Sequence, residues 1–249
     1  MTLLLIAALF LPLFPLSIVL NAVLTRVRHP AARAALLLAW PQIGVSLLLA
    51  AGQEIPQWLV AWALASSGFY ALRLLTVRDL TLWAGFLASS ALALTWGLVG
   101  AGALELRLFA LWFSLPAALL ALLGGPLASR FGAAYAGLHG GLAQLLPRLS
   151  GVLVAVVLSA IATPPFPGFF LMLELLSGLA WTAMPAVLAI WLAWGWAATK
   201  LLQGFVFGPS SRGASHAAAS DLGQASAWAY SAALAVFAIT GLYLSGGGL

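Results

Sequence analysis

The chain alternates long apolar runs with short segments that hold most of its charges, glycines and prolines. About nine of the apolar runs approach the roughly 20 residues that an α-helix needs to cross a bilayer. Two of them, 149–162 and 169–181, are short for full spans. The pattern predicts an all-α, polytopic integral membrane helix bundle that forms a single transmembrane domain over residues 1–249. The predicted segments are 3–24, 34–51, 56–72, 80–103, 106–127, 149–162, 169–181, 185–205 and 225–244.

The first apolar run, 3–24, allows two interpretations. A secretory signal peptide has basic residues before its apolar stretch and a small-residue cleavage motif after it. This run lacks both features, and Arg26, Arg28 and Arg33 follow it. We therefore predict a single helix that is retained in the membrane.

The composition identifies the solvent around this bundle. Hydrophobic residues make up 64% of the chain and charged residues 6%, against about 25% charged residues in an average soluble domain. Such a chain lacks the polar side chains to cover its surface, so we expect its outer face to contact lipid. The net charge of +5 comes without a basic run interleaved with aromatic residues, so we expect no nucleic-acid partner. The absence of cysteine excludes disulfides and thiolate metal sites.

The loop charges predict the orientation of the bundle. The first, third and fifth loops are basic, whereas the second carries Glu54 and the fourth carries Glu105 beside Arg107. Because cytoplasmic loops of membrane proteins collect Lys and Arg, the odd-numbered loops are expected in the cytoplasm. We therefore predict a multi-pass protein of the cell inner membrane with its N-terminus outside. The loop arginines are Arg26, Arg28, Arg33, Arg73, Arg78, Arg130 and Arg148.

Ionisable residues inside apolar segments are candidates for function because a bare charge in hydrocarbon is costly. Glu174 lies in an apolar segment a few residues after a Pro/Gly break. It is interpreted either as a proton-relay acid or as a neutral or subunit-paired carboxyl. Lys200, the only lysine, is interpreted either as a proton carrier with a lowered pKa or as a side chain that snorkels to the interface. If the chain conducts protons, we expect both residues to face one polar interior.

The three histidines are far apart in the sequence and have no acidic neighbours, so we predict neither a metal site nor a cofactor. His139 lies in a glycine-rich loop. It is interpreted either as a proton-entrance group that titrates near neutral pH or as a solvated loop histidine. The sequence contains no phosphate loop and no nucleophile elbow, so we expect no catalysis by the chain alone.

A cluster of prolines interrupts the apolar sequence near residues 163–168. Pro164, Pro165 and Pro167 cannot continue an α-helix. Two interpretations follow: a discontinuous membrane helix, which marks ion paths in transporters, or an ordinary turn between two helices.

The segments around this break resemble one protein family. Residues 138–148 read Leu-His-Gly-Gly-Leu-Ala-Gln-Leu-Leu-Pro-Arg, and residues 162–170 read Ala-Thr-Pro-Pro-Phe-Pro-Gly-Phe-Phe. Together they resemble the antiporter-like, proton-translocating membrane subunits of respiratory complex I and of multi-subunit cation/proton antiporters. Members of that family have a basic residue before a Phe-x-Gly at the end of a discontinuous helix, and Lys200 before Phe207-Gly208 is similar to it.

Further upstream the resemblance is weaker. The family signature Asp-aliphatic-Lys-Arg keeps its aspartate as Asp79, but the Lys-Arg pair is replaced by Thr81 and Leu82. Arg73 is the nearest equivalent of a buried lysine in the preceding helix of the family. The resemblance thus implies roles for Lys200, Arg73 and Asp79, and together with Glu174 and His139 these residues form the predicted proton pathway.

The resemblance covers residues 56–209 and corresponds to the second of two inverted repeats in the family. It implies a proton-conducting subunit of a larger energy-coupling complex with other membrane or membrane-associated subunits as partners. The lost polar positions favour an alternative, a non-conducting scaffold subunit of the same fold that belongs to a redox complex or to an ion-coupled inorganic-carbon uptake system. An unrelated small-solute permease is a third hypothesis.

Overall fold

The computed structural model describes residues 2–52, 55–98, 102–138, 140–207 and 220–245. Within these ranges the chain is a helix bundle without strands, which confirms the predicted all-α membrane fold. A 3₁₀ turn, Leu94–Gly97, extends α5. The helices are α1 Thr2–Phe10, α2 Ile18–Arg26, α3 Pro30–Ala51, α4 Gln57–Leu74, α5 Leu80–Ala93, α6 Ala103–Phe131, α7 Leu142–Leu145, α8 Pro147–Ala160, α9 Pro167–Gly178, α10 Met184–Val206 and α11 Gln224–Ser245.

Five segments of the described chain are long and apolar enough to cross a membrane. The helices α8 and α9 are shorter but also apolar. The protein is therefore a multi-pass membrane protein. The five candidate spans are Pro30–Ala51, Leu80–Gly97, Ala103–Phe131, Met184–Val206 and Gln224–Leu244.

The long helix α6 organises the bundle. It packs against α3 and α5 on one side and against α8 and α9 on the other. One hydrophobic core lies between α1, α3 and the first half of α6, and a second lies between α4, α8, α10 and α11. Because α5 and α6 contribute side chains to both cores, the two halves form one continuous bundle.

The single helix expected over residues 3–24 is instead two helices, α1 and α2. Pro12 and Pro15 lie in the segment between them. Proline has no backbone N–H and its ring clashes with the preceding turn, so the helical hydrogen-bond ladder stops at Phe10 and resumes at Ile18. The two pieces then separate, because α1 packs on α3 whereas α2 packs on α5.

The break near residues 163–168 separates α8 from α9 in the same way. The two helices do not lie side by side as in a helical hairpin, and both contact α6 and α11. The structure therefore favours the discontinuous-helix interpretation over an ordinary turn. In the described chain, proline-containing segments thus divide α1 from α2 and α8 from α9. We call each of these pairs a discontinuous helix.

The basic loops lie at one end of the bundle. Arg33 donates to the hydroxyl of Thr81 at 3.2 Å, and Arg130 donates to the carbonyl of Ser220 at 2.7 Å. The first bond joins the first turns of α3 and α5, and the second joins the end of α6 to the segment before α11. Arg33, Thr81 and Gly132 line one cavity, so these helix ends lie together. Glu105 begins the helix that Arg130 ends, so these two residues are about 38 Å apart at 1.5 Å per residue. We call the end with Arg33 and Arg130 the basic end.

Candidate functional site

Both discontinuous helices expose backbone carbonyls inside the bundle, and tryptophan side chains bind them. At the first break, Trp40 donates to Leu9 O at 3.2 Å and Trp96 donates to Leu11 O at 3.1 Å. Trp62 donates to Phe14 O at 2.7 Å. At the second break, Trp191 donates to Ile161 O at 3.0 Å. These indoles satisfy carbonyls that water or an ion would otherwise have to solvate.

A glycine packs against each break. A Cβ on Gly44 of α3 would lie 2.8 Å from side-chain carbons of Phe10 and Leu11. A Cβ on Gly241 of α11 would lie directly against the carbonyl oxygen of Pro165. Small residues allow two backbones to approach closely in a membrane, so each break is closed by an adjacent helix as well as by indoles.

Between the two breaks, α4 and α5 face each other through paired serines. Ser67 and Ser90 are buried, and their hydroxyls lie 3.1 Å apart. Each also donates to the other's backbone carbonyl at 2.8 Å. The indole of Trp194 on α10 donates to Ser90 Oγ at 2.9 Å. This cluster links three helices through neutral groups.

A second polar cluster connects α2 to the same two helices. The hydroxyls of Ser17 and Tyr70 lie 2.5 Å apart. The amide of Asn21 donates to Ser17 O and to Ser89 Oγ, both at 3.1 Å. Ser66, beside the first cluster, accepts from Phe14 N at 3.0 Å. We call the two clusters together the serine network.

The serine network consists of hydroxyl, phenol, amide and indole groups. Among the described residues, the polar side chains that are fully buried are all serines and one threonine, Thr95. The interior of the described bundle is therefore neutral, although hydrogen-bonded.

The sequence analysis did not select these residues. The available signals were the Ser-Ser pairs at 66–67 and 89–90 in apolar segments and the unusual number of tryptophans, 11. Neither signal identifies a partner, since the bonded residues lie 23 to 104 positions apart.

Glu174 is exposed on α9. The neighbouring Leu175 lies against the 3₁₀ turn that precedes α6, since a Cβ on Gly97 would lie 3.2 Å from Leu175 Cδ1. Glu174 therefore lies toward the end of the bundle opposite the basic end.

Lys200 is exposed near the end of α10, and its ammonium donates to Leu75 O at 3.3 Å. It lines a cavity of about 540 Å³ at the basic end together with Arg78. Lys200 lies about 24 Å along α10 from Met184, at 1.5 Å per residue. Glu174 lies within α9, and the end of that helix and the segment 179–183 separate it from Met184. The structure therefore does not bring Glu174 and Lys200 together.

The remaining predicted site residues have local roles. The carboxylate of Asp79 accepts from Leu82 N at 2.9 Å and so caps the first turn of α5. The guanidinium of Arg73 lies 5.9 Å from the centre of the Phe86 ring. His139, together with Glu54 and Gly208, lies outside the described residues.

Two solved structures share this arrangement of helices. One is a chain of respiratory complex I from Thermus thermophilus, solved with bound NADH; its TM-score is 0.77 at 22% identity over 97% of this chain. The other is a chain of the Mrp complex from Dietzia sp. DQ12-45-1b, with a TM-score of 0.72 at 18% identity over 84% of this chain. The chain has the fold of antiporter-like membrane subunits.

The likeness extends beyond the segment 56–209 that carries the sequence resemblance, since it includes nearly all of the chain. In the other direction, the chain spans 54% of the complex I chain and 42% of the Mrp chain. No protein-family model and no curated protein sequence matches it.

Proposed function

We propose that the chain is a structural, non-conducting antiporter-like subunit of a larger membrane complex. The observation that carries this proposal is the serine network, which connects α2, α4, α5 and α10 through neutral groups. A proton relay needs groups that accept a proton on one side and release it on the other. The Asn21 amide nitrogen only donates, so it interrupts the connection from Ser17 to Ser89.

The tryptophans at the two breaks support the same proposal. A discontinuous helix in an ion pathway offers its carbonyls to the ion or to water. Here Trp40, Trp62 and Trp96 already occupy carbonyls of the first break, and Trp191 occupies one at the second. The chain thus keeps the shape of a transporter subunit while its polar path is closed by its own side chains.

Proton conduction is the second candidate, and one observation favours it. Glu174 lies on the second half of a discontinuous helix and faces outward, where a neighbouring subunit could complete a pathway around it. In that case Glu174 would act at an interface and not inside this chain.

The experiment that separates the two candidates is proton transport by the purified complex in proteoliposomes, followed with a pH-sensitive dye. We expect Glu174→Gln and Lys200→Ala to assemble with their partners and to transport as the unmodified complex does. Loss of transport by either variant while assembly survives would favour conduction. Ser90→Ala serves as the opposite control, since it should weaken the bundle without removing a charge.

The outer faces of α10 and α11 expose large apolar side chains, as expected of surfaces that contact a membrane-embedded partner. Leu192 and Trp196 on α10 and Ile239 and Tyr243 on α11 are all at least 65% exposed. We infer that these faces contact lipid or other membrane subunits. Co-purification of partner subunits would identify which of the two faces a partner covers.

We also propose an inner-membrane location with the basic end in the cytoplasm and the N-terminus outside, as the loop charges favour. The chain contains no cysteine, so single cysteines report topology directly. Ser220→Cys, at the basic end, should react with a membrane-impermeant maleimide only after the cells are opened. Thr2→Cys should react in intact cells, and the reverse pattern would invert the orientation.

A further inference from the structure

A continuous chain of aromatic rings runs along the side of the bundle between α2, α4 and α5. The ring centres of Phe14 and Phe69 are 4.8 Å apart, those of Phe69 and Tyr70 are 5.3 Å apart, and those of Tyr70 and Phe86 are 5.5 Å apart. The guanidinium of Arg73 continues the chain at 5.9 Å from Phe86.

These rings form the wall of an open lateral groove of about 370 Å³. That volume lies within the range of about 300–1,000 Å³ typical of small-molecule sites. Thr25 and Arg73, near the last residues of α2 and α4, lie toward the basic end, whereas Phe14 and Ile18 lie deeper. The groove is therefore cationic where it approaches the basic end and apolar farther from that end.

Arg73 has no counter-ion in the described structure. Its side chain makes no hydrogen bond and no ion pair with any described residue. Its guanidinium lies over the ring of Phe86. A cation–π contact at this distance uses no N–H hydrogen bond, so the guanidinium N–H groups are available for a phosphate or carboxylate. An unpaired cation held at the headgroup level attracts anionic lipid.

The groove also borders the serine network. Tyr70 and Asn21 line it, and the hydroxyl of Tyr70 is bonded to Ser17. The occupant of the groove therefore lies directly beside the hydrogen bond between Tyr70 and Ser17.

We propose that this groove is a binding site for an anionic phospholipid. The lipid phosphate binds the N–H edge of Arg73, and one acyl chain lies along Phe14, Phe69 and Phe86. The inference does not depend on whether the subunit conducts protons.

The test compares lipid retention and thermal stability of the purified protein, with its co-purifying subunits, for the unmodified protein and three variants. Arg73→Gln removes the proposed phosphate ligand. Arg78→Gln is the matched control, since it removes the same charge at the same end but lines a different cavity. The probes are detergent micelles doped with phosphatidylglycerol or phosphatidylcholine, and inorganic phosphate alone. Native mass spectrometry counts the retained lipid.

We expect the unmodified protein and Arg78→Gln to retain phosphatidylglycerol in preference to phosphatidylcholine and to melt at higher temperature in its presence. Arg73→Gln should lose that preference by about five-fold, the effect of one interfacial cation. Phe86→Leu should weaken retention without changing the charge. Equal retention of both lipids by the unmodified protein, an unchanged preference in Arg73→Gln, or equal stabilisation by inorganic phosphate would overturn the proposal. Release of a protein subunit in place of lipid by Arg73→Gln would overturn it as well.

Discussion

The indole N–H of Trp96 donates to the backbone carbonyl of Leu11, 85 residues earlier, at 3.1 Å. Trp96 is fully buried in the 3₁₀ turn after α5, and Leu11 is the first residue after α1. A carbonyl freed by a helix break has no water to bind in an apolar core. The bond therefore ties the first discontinuity to the centre of the bundle and explains how a break is accommodated there.

Replacing Trp96 by Phe should destabilise the protein. The change keeps an aromatic ring but leaves Leu11 O without its donor, at a cost of about 1–3 kcal/mol. Unfolding of the purified protein by denaturant or heat measures the loss.

Trp83→Phe is the matched control for this change. Trp83 is equally buried, but its indole nitrogen has no hydrogen-bond partner among the described residues. Both variants lose the same ring area, so only the hydrogen bond separates them. If Trp83→Phe is as destabilising as Trp96→Phe, the loss comes from packing and the capping interpretation is wrong.

Replacing Ser90 by Ala should also destabilise the bundle, because Ser90 contacts both Trp194 and Ser67. The change leaves the indole N–H of Trp194 unpaired and removes the donor to the carbonyl of Ser67, whereas the Ser67 hydroxyl keeps its bond to the backbone of residue 90. The expected loss is about 1 kcal/mol, as for interhelical bonds in a membrane. Ser114→Ala is the comparison, because Ser114 is just as buried but its hydroxyl bonds to no group in the described part of the chain. We expect Ser114→Ala to be neutral in the same unfolding assay, and equal losses would contradict the role of the network.

The sequence was sufficient to predict the five long apolar helices of the described chain, because run length and composition decide whether a helix can cross a bilayer. Proline positions indicated the second break. Pro12 and Pro15 are the corresponding signal for the first break, where one helix was expected and two are present. The partners of the serines and tryptophans could not be predicted, since apolar periodicity does not say which faces of distant helices meet. The separation of Glu174 from Lys200 depends on where α9 ends and α10 begins, which the apolar pattern leaves open.

A methyl group on Gly241 should disturb the second break. It would lie against the carbonyl of Pro165 and 2.8 Å from Phe166 C, so α11 would have to move away from α9. Overpacking of this kind costs about 1–3 kcal/mol. We expect Gly241→Ala to lower the melting temperature, and Gly195→Ala, where a Cβ meets nothing within 4 Å, to be neutral or slightly stabilising. Equal melting of the two variants would show that α11 is not held at this contact.

Stability at low pH should depend on Asp221, which lies in the loop before α11. Its carboxylate accepts from the backbone N–H groups of Arg148 at 2.9 Å, Leu149 at 3.1 Å and Leu222 at 2.6 Å. Partial burial raises the pKa of this carboxyl, but the three hydrogen bonds and the charge of Arg148 outweigh it, so the pKa lies below the usual 3.8. A lowered pKa in the folded state means that the carboxylate stabilises the protein at every pH above 3.8 and that this contribution is lost as the pH falls below it.

We therefore expect Asp221→Ala to be less stable than the unmodified protein by about 0.5–2 kcal/mol near neutral pH, the usual value of an N-terminal helix cap. The difference should stay constant from pH 7 to pH 5, because both proteins then have unchanged charges at this site. It should narrow below about pH 4 as the carboxyl of the unmodified protein takes up a proton. Thermal melts of both proteins across this range measure the difference. A gap that is already closing at pH 6, or that persists undiminished at pH 2, would mean that Asp221 does not bind the start of α8 through its charged form.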